Sequence, residues 1–400
     1  MSITERAAEL QPDLVTLRRA LHREPELGLD LPRTQEKVLA ALDGLPLEIT
    51  TGKTVGSVTA VLRGERPGGA VLLRGDMDAL PVSEKSGVEY ASRVPGAMHA
   101  CGHDLHTAGL VGAATLLAER RAHLHGDVVF MFQPGEEGHN GAGLMIEEGV
   151  LDAAGKPLDA AYALHVAANR LPGGLVATRP GTVTSASDVL SVTVRGTGGH
   201  GSTPHSAKDP VPVACEIVTA LQTWVTRRFD IFDPVVVTVG QFHAGTQQNV
   251  IPETAEFRAT VRSYSEAAHA RLIDGLPRLV RGIAEAHGIE AEVTYDVAYP
   301  VTVNDPGETS FAVDTARELL GPTQVWQAPD PANGSEDFAF VLQRTPGAML
   351  MVGAAPEGVD VASAPMNHSP HAVFDDRVLQ RQAALLATLA EERLARGSAA

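Results

Sequence analysis

Short, almost wholly apolar runs recur along the first half of the chain, each parted from the next by a helical stretch. Val58-Thr-Ala-Val-Leu62, Ala70-Val-Leu-Leu-Arg74, Asp127-Val-Val-Phe-Met-Phe132 and Ala160-Ala-Tyr-Ala-Leu164 read as strands, and segments 10–23, 105–123 and 142–150 carry helical spacing. A strand that is apolar on both faces has to be buried on both. That requirement points to an α/β catalytic domain with a central, mostly parallel sheet covered by helices.

The rhythm changes near Ser187. Strand 189–195 is followed by helix 211–228, strands 235–242 and 255–262, helix 267–287 and strand 289–297. The order β-α-β-β-α-β is that of a ferredoxin-like α+β unit, able to stand as a small domain. Alternation then resumes, with helices near 309–320 and 336–343, a strand at 348–352 and a last helix at 376–396. The expected organisation is one α/β domain, 1–185 and 299–400, interrupted by an inserted domain, 186–298. Arg179-Pro-Gly-Thr182 and Tyr299-Pro300 are candidate joints.

With 400 residues, 44% hydrophobic and 20% charged, the chain has enough apolar material for two soluble domains. Lys+Arg 32 against Asp+Glu 49 gives −17, which argues against nucleic acid or an anionic membrane as a partner. Met1 to Leu10 carries charges where a signal peptide needs an apolar run, and no apolar stretch of about 18 residues occurs. Two cysteines, Cys101 and Cys215, make no disulfide framework, so a cytoplasmic location is expected.

Metal-capable side chains concentrate in a few short segments that follow predicted strands or lie in Gly/Pro turns. These are Arg74-Gly-Asp-Met-Asp-Ala-Leu-Pro81, Met98-His-Ala-Cys-Gly-His-Asp104, Gln133-Pro-Gly-Glu-Glu-Gly138 and Ala163-Leu-His-Val166. Open α/β sheets place their ligands at the carboxyl ends of strands. Cys101 and His103 would diverge by about 200° on a helix, but in a turn permitted by Gly102 they face the same way and suit a borderline metal. His99 is assigned a structural role. Glu136 and Glu137 allow a division of labour, in which one carboxylate binds metal and the other exchanges a proton with the attacking water. His165 and His368, each ambiguous alone, complete a set with Cys101, His103 and Glu137 that is too large for one tetrahedral ion and suits two. In the inserted domain, the glycine-rich Gly196-Thr-Gly-Gly-His-Gly-Ser-Thr-Pro-His205 exposes His200, while Gln248-Asn-Val-Ile-Pro252 and the strand face Arg258, Thr260, Arg262 are further polar candidates.

Taken in order with Ser335-Glu-Asp-Phe338, these motifs resemble the amidohydrolase branch of the aminoacylase/carboxypeptidase G metallopeptidases, which includes hippurate and indoleacetyl-amino-acid hydrolases. The resemblance spans about residues 21–370. It implies a metal-dependent amidohydrolase acting on the linear amide of N-acyl amino acids. Two divalent ions per subunit would be bridged by Cys101 and completed by His103, Glu137, His165 and His368. Zinc or manganese leads as the cofactor, with cobalt and nickel open. Glu136 would act as general base and then acid, and Asp78 would orient the ligands. His200 would stabilise the oxyanion across a homodimer interface made by the inserted lid/dimerisation domains, with Asn249 nearby and Arg262 on the substrate carboxylate. One departure from the wider superfamily is that Asp76 stands where a ligand histidine is usual, and Cys101 where an aspartate usually bridges. The rival readings are a dipeptidase or aminopeptidase of the same fold, a non-catalytic metal-binding homologue, a structural or scaffold protein that binds no metal, and a serine or cysteine hydrolase, for which Cys101 is the candidate nucleophile.

Overall fold

A computed structural model describes residues 1–397 and divides them into two compact units. The larger comprises Met1–Val183, Val303–Asp330 and the described residues from Asp337 on, and the smaller Thr184–Thr302 with Pro331–Glu336.

The larger unit is built on an 8-stranded sheet. Its central strands, His125–Gln133, Arg66–Asp76, Ala160–Ala167 and Gly347–Gly353, are mutually parallel. Antiparallel strands flank them. Val58–Arg63 and Leu47–Thr51 lie on one side, and Val176–Thr178, paired in parallel with Val325–Gln327, on the other. The sheet is therefore mixed at its margins and parallel at its centre, where the apolar runs lie. Alternate side chains serve two cores, as the period of a strand requires. Val71, Leu73, Phe130 and Tyr162 pack with residues of the helices Ile3–Arg23, His103–Glu119 and Leu379–Gly397. Leu72, Val129, Met131 and Ala163 pack with Ala142 and Met145 of the helix Gly141–Glu147. Burial on both faces explains the absence of polar alternation in these strands.

Several elements of this unit escape the sequence pattern, among them one helix and one edge strand. The helix Pro32–Leu42 is short and buries only Thr34, Val38 and Leu42. The strand Leu47–Thr51 is an exposed edge and so carries no apolar alternation.

In the smaller unit the sheet order is Val235–Ala244, Thr254–Ser263, Ala186–Arg195, Glu290–Tyr299, antiparallel throughout. In sequence order this is 2-3-1-4, the arrangement of the split βαβ unit. Ala255, Phe257, Ala259 and Val261 turn one face of Thr254–Ser263 into a core shared with Ile217, Leu221, Leu272 and Leu276 of the helices Pro210–Arg228 and Glu266–Ala286. No described helix is long and apolar enough to cross a membrane.

Candidate metal centre

Register brings the carboxyl ends of the parallel strands to one level. Asp76 pairs with Gln133, and Arg74 with Ala163, two residues before His165. Beneath this edge Arg74 donates to Gln133 and Asp337 at 2.8 and 3.0 Å, and Gln133 in turn donates to Asp337 at 2.8 Å. Asp337 also accepts the Ala142 N–H at 2.9 Å, so the Glu-Asp-Phe motif ties the strand ends together.

Asp78 organises the next layer. Its buried carboxylate accepts the backbone N–H groups of Glu136 and Glu137, both at 3.0 Å, and thereby shapes the turn after His125–Gln133. Its carbonyl accepts from His103 Nδ1 at 2.9 Å. A carbonyl can only accept, so Nδ1 holds a proton and Nε2 is the nitrogen turned toward the site. His103 opens the helix His103–Glu119, with Gly102 before it at φ +85°. A Cβ at Gly102 would lie 2.4 Å from Val166 Cγ2, so only glycine lets the Cys101 turn settle against the Val166 strand.

His165 donates from Nδ1 to the Val166 carbonyl at 2.9 Å, and its Nε2 faces Cys101 Sγ at 3.5 Å. His368 has φ +70°, an unusual conformation for a residue with a side chain. Its backbone N–H is held by the Ala100 carbonyl at 2.8 Å. Its Nε2 sits 3.1 Å from Glu137 Oε1.

The donor atoms fall into overlapping sets, each within 4.8 Å: Cys101, His103 and His165; Cys101, Glu137 and His368; and His103, Glu136 and Glu137. Cys101 belongs to the first two. One buried atom in these sets, His103 Nε2, has no hydrogen-bond partner, and Glu137 Oε1 has only its ion pair with His368 at 3.1 Å. Leaving buried polar atoms unmatched costs roughly 1–3 kcal/mol each unless something else satisfies them. Electrostatics agree. Burial opposes charge on Cys101, but His165 and His103 hold its thiol well below the ordinary range. His368 is raised to about 10, first by Cys101 and then by Glu137. Thiolate and carboxylate thus crowd together and draw protons onto the imidazoles, an excess of negative charge that cations would neutralise. The donor set, of mixed N, S and O type, fits divalent metal ions.

Asp76 takes a different part. His106 Nδ1 donates to it at 2.5 Å, and the Val166 N–H donates to His106 Nε2 at 2.8 Å. Burial opposes ionisation of Asp76, yet Arg74, His103 and His106 keep it well below the carboxylate range. The pair braces the His165 strand end. Sequence reasoning passed over His106, although its spacing of three from His103 on one helix puts the two rings on one face. It also passed over Asn367. That amide donates to the Val166 and Cys101 carbonyls at 2.9 and 3.2 Å, lies 3.8 Å from Cys101 Sγ, and accepts the Ala168 N–H at 2.8 Å. Asn367 was visible only as a neighbour of His368. His99 is buried with neither ring nitrogen partnered, and burial pushes it down to about 4.

In the smaller unit, His200 is exposed and pairs with Val250 in a two-stranded ribbon. Gly201 N–H donates to the Asn249 carbonyl at 2.8 Å, which makes His200 and Asn249 neighbours. Ser202 N–H donates to His200 Nδ1 at 3.1 Å, so the neutral ring carries its proton on Nε2, pointing outward as a donor. Arg262 lies on the opposite face of its strand from Val261, with a buried Nη1 lacking an acceptor.

Residues 72–392 match the model of peptidase family M20/M25/M40. The chain belongs to that family. Among its M20 relatives, thermostable carboxypeptidase 2 of Saccharolobus solfataricus is 37% identical, covering 96% of this chain and 95% of that protein. N-acetylcysteine deacetylase of Bacillus subtilis is 35% identical, covering 85% and 88%. The crystal structure of the Bacillus subtilis YXEP protein, a dinuclear metal binding peptidase from the M20 family, superposes with a TM-score of 0.82 at 31% identity, covering 97% of this chain and 99% of that one. Amidohydrolases and deacetylases among the relatives place this M20 hydrolase in the amidohydrolase branch.

Proposed function

We propose that this M20 hydrolase cleaves the amide bond of N-acyl amino acids, with Cys101, His103, Glu137, His165 and His368 holding two divalent ions. The observation that carries the reading is the double membership of Cys101, whose sulfur belongs to two ligand triads at once. Such ions supply Lewis acidity toward the amide carbonyl and lower the pKa of water. Glu136, buried and within 4.8 Å of the His103 and Glu137 donor atoms, takes a proton from the attacking water and delivers it to the leaving nitrogen. Asp78 keeps Glu136 and Glu137 on their shared turn and fixes the His103 ring. His200 supplies an Nε2–H to the oxyanion, acting from a second copy of the chain, and Asn249 stands beside it. Arg262 binds the substrate carboxylate, the acceptor that its buried Nη1 lacks. The smaller unit serves as lid and dimerisation domain.

The relatives support amide hydrolysis of this class and leave the acyl group open. A panel of N-acetyl and N-benzoyl amino acids beside free dipeptides, assayed with zinc, manganese, cobalt or nickel, tests the reading. Acylated substrates should turn over at least about tenfold faster than dipeptides, and chelated enzyme should be inert until metal returns. Faster cleavage of dipeptides would transfer the assignment to a dipeptidase.

A further inference from the structure

We propose that the smaller unit carries a second binding site, independent of the metal centre, for a small amphiphilic anion: a carboxylate or sulfonate on an aliphatic or aromatic body. A cleft of about 690 Å³ lies between the helices Pro210–Arg228 and Glu266–Ala286. Arg227, Arg228, Arg271 and Arg278 line it together with Trp224, Leu279 and Ile283, and no carboxylate contributes to its wall.

In a chain of net charge −17, a cleft walled only by cationic and apolar groups is an unusual local reversal. Two of its arginines are already engaged. Arg271 donates to the Arg228 carbonyl at 2.6 Å and lies over the Phe229 ring, while Arg278 pairs with Asp274 at 3.2 Å outside the lining. Arg227 and Arg228 have no side-chain hydrogen bond or ion pair among the described residues, so two guanidinium groups remain available. Their position at the end of Pro210–Arg228 suits the helix dipole, which accounts for their charge but not for the hollow beside them.

The hollow has a sequence cause. Arg271, Gly275, Arg278 and Gly282 follow one another at spacings of four, three and four, a single stripe along the helix Glu266–Ala286. Each interior glycine costs a helix about 1 kcal/mol relative to alanine. Gly275 has a packing reason, because a Cβ there would meet the Trp224 ring at 2.3 Å. Gly282 has none, since nothing lies within 4 Å of the position its Cβ would occupy. What Gly282 does is keep the cleft floor open between the guanidinium groups and the apolar faces of Trp224, Leu279 and Ile283. An anionic head on the arginines and an apolar body over that floor satisfy both halves of the wall.

The probe is decanoate, titrated by calorimetry into the intact protein, with decyltrimethylammonium and acetate as controls. Arg227→Ser/Arg228→Ser and Gly282→Leu are the variants, all at solvent-facing positions, and turnover of an N-acetyl amino acid reports that each is folded. Decanoate should bind at one site per chain with Kd below about 1 mM. The arginine pair variant should weaken it at least about tenfold, as loss of charged hydrogen bonds predicts. Gly282→Leu should weaken it comparably, with turnover unchanged in both. Affinity unaltered in both variants, or equal binding of the decyl cation, would overturn the site. Because turnover is read separately, failure here leaves the metal-centre assignment standing, and loss of turnover in the parent protein leaves this site testable.

Discussion

Replacing Asn367 by alanine removes a single amide that touches three segments bearing candidate ligands. It bonds the Cys101 carbonyl, the strand end just past His165, and belongs to the loop that presents His368. The Val166 carbonyl keeps its bond from His165 Nδ1, so its loss is partial. Ala168, only 1% exposed, has its N–H stranded. A stranded buried donor costs roughly 1–3 kcal/mol, and the lost neutral bonds add about 0.5–1.5 kcal/mol. A total of about 1.5–4.5 kcal/mol falls on the geometry of Cys101, His165 and His368 more than on any hydrophobic core. If most of it appears as loosened ligands, metal affinity should drop about 10–100-fold, since each tenfold corresponds to about 1.4 kcal/mol. Competition against a chromophoric chelator measures that directly. A thermal melt of the metal-free protein separates it from general destabilisation. Metal affinity within about twofold of the parent, in a variant with normal circular dichroism, would refute the claim that Asn367 holds these segments in register.

Other perturbations address other parts of the same structure. Glu136→Ala should retain its metals by elemental analysis while losing about 10²–10⁴ in kcat, and retained turnover at full metal content would remove the proton-carrier role. Asp78→Asn turns an amide N–H₂ toward one of the two N–H donors it now satisfies, so the metal-free melting temperature should fall by roughly 5 °C or more and metal affinity with it; an unchanged melt would contradict the reading of the Glu136–Glu137 turn. His269 is raised above its usual pKa by its 2.9 Å bond to Asp188. Its contribution is therefore whole below about pH 6.5 and is lost as pH rises through the raised value, so His269→Gln should flatten the decline of stability above neutrality. A decline of equal steepness in the variant would show that another group is responsible.

Most of the fold was legible because burial writes itself into composition. The strands at the centre of the large sheet are apolar on both faces, and Thr254–Ser263 alternates because only one of its faces is covered. Where burial is slight the pattern fades. Leu47–Thr51 is almost wholly exposed, and short pieces such as Val176–Thr178 and Val325–Gln327 have too few residues to show a period. The expectation of a mostly parallel sheet holds at its centre and gives way at its margins, where antiparallel pairing needs no long crossover and leaves no periodic trace.

The candidate site was legible for a different reason. Cysteine, histidine and paired glutamates are conspicuous beside glycine and proline at strand ends, whereas the residues that aim them, Asp78 apart, are not. His106 and Asn367 act through hydrogen bonds to backbone atoms far away in sequence, and Asp76 acts through the His106 ring: His106 reaches Val166, and Asn367 reaches Cys101 and Ala168. Such partners have no fixed spacing, because the distance between them is set by how the sheet stacks and not by the period of any element. A buried imidazole has two nitrogens, and only the occupation of one tells which is left for chemistry. For His103 the Asp78 carbonyl makes that choice, and for His165 the Val166 carbonyl makes it. Ligand type can therefore be read from a sequence, but which atom of each ligand faces the cation is decided by backbone carbonyls, which every residue possesses and no sequence pattern marks.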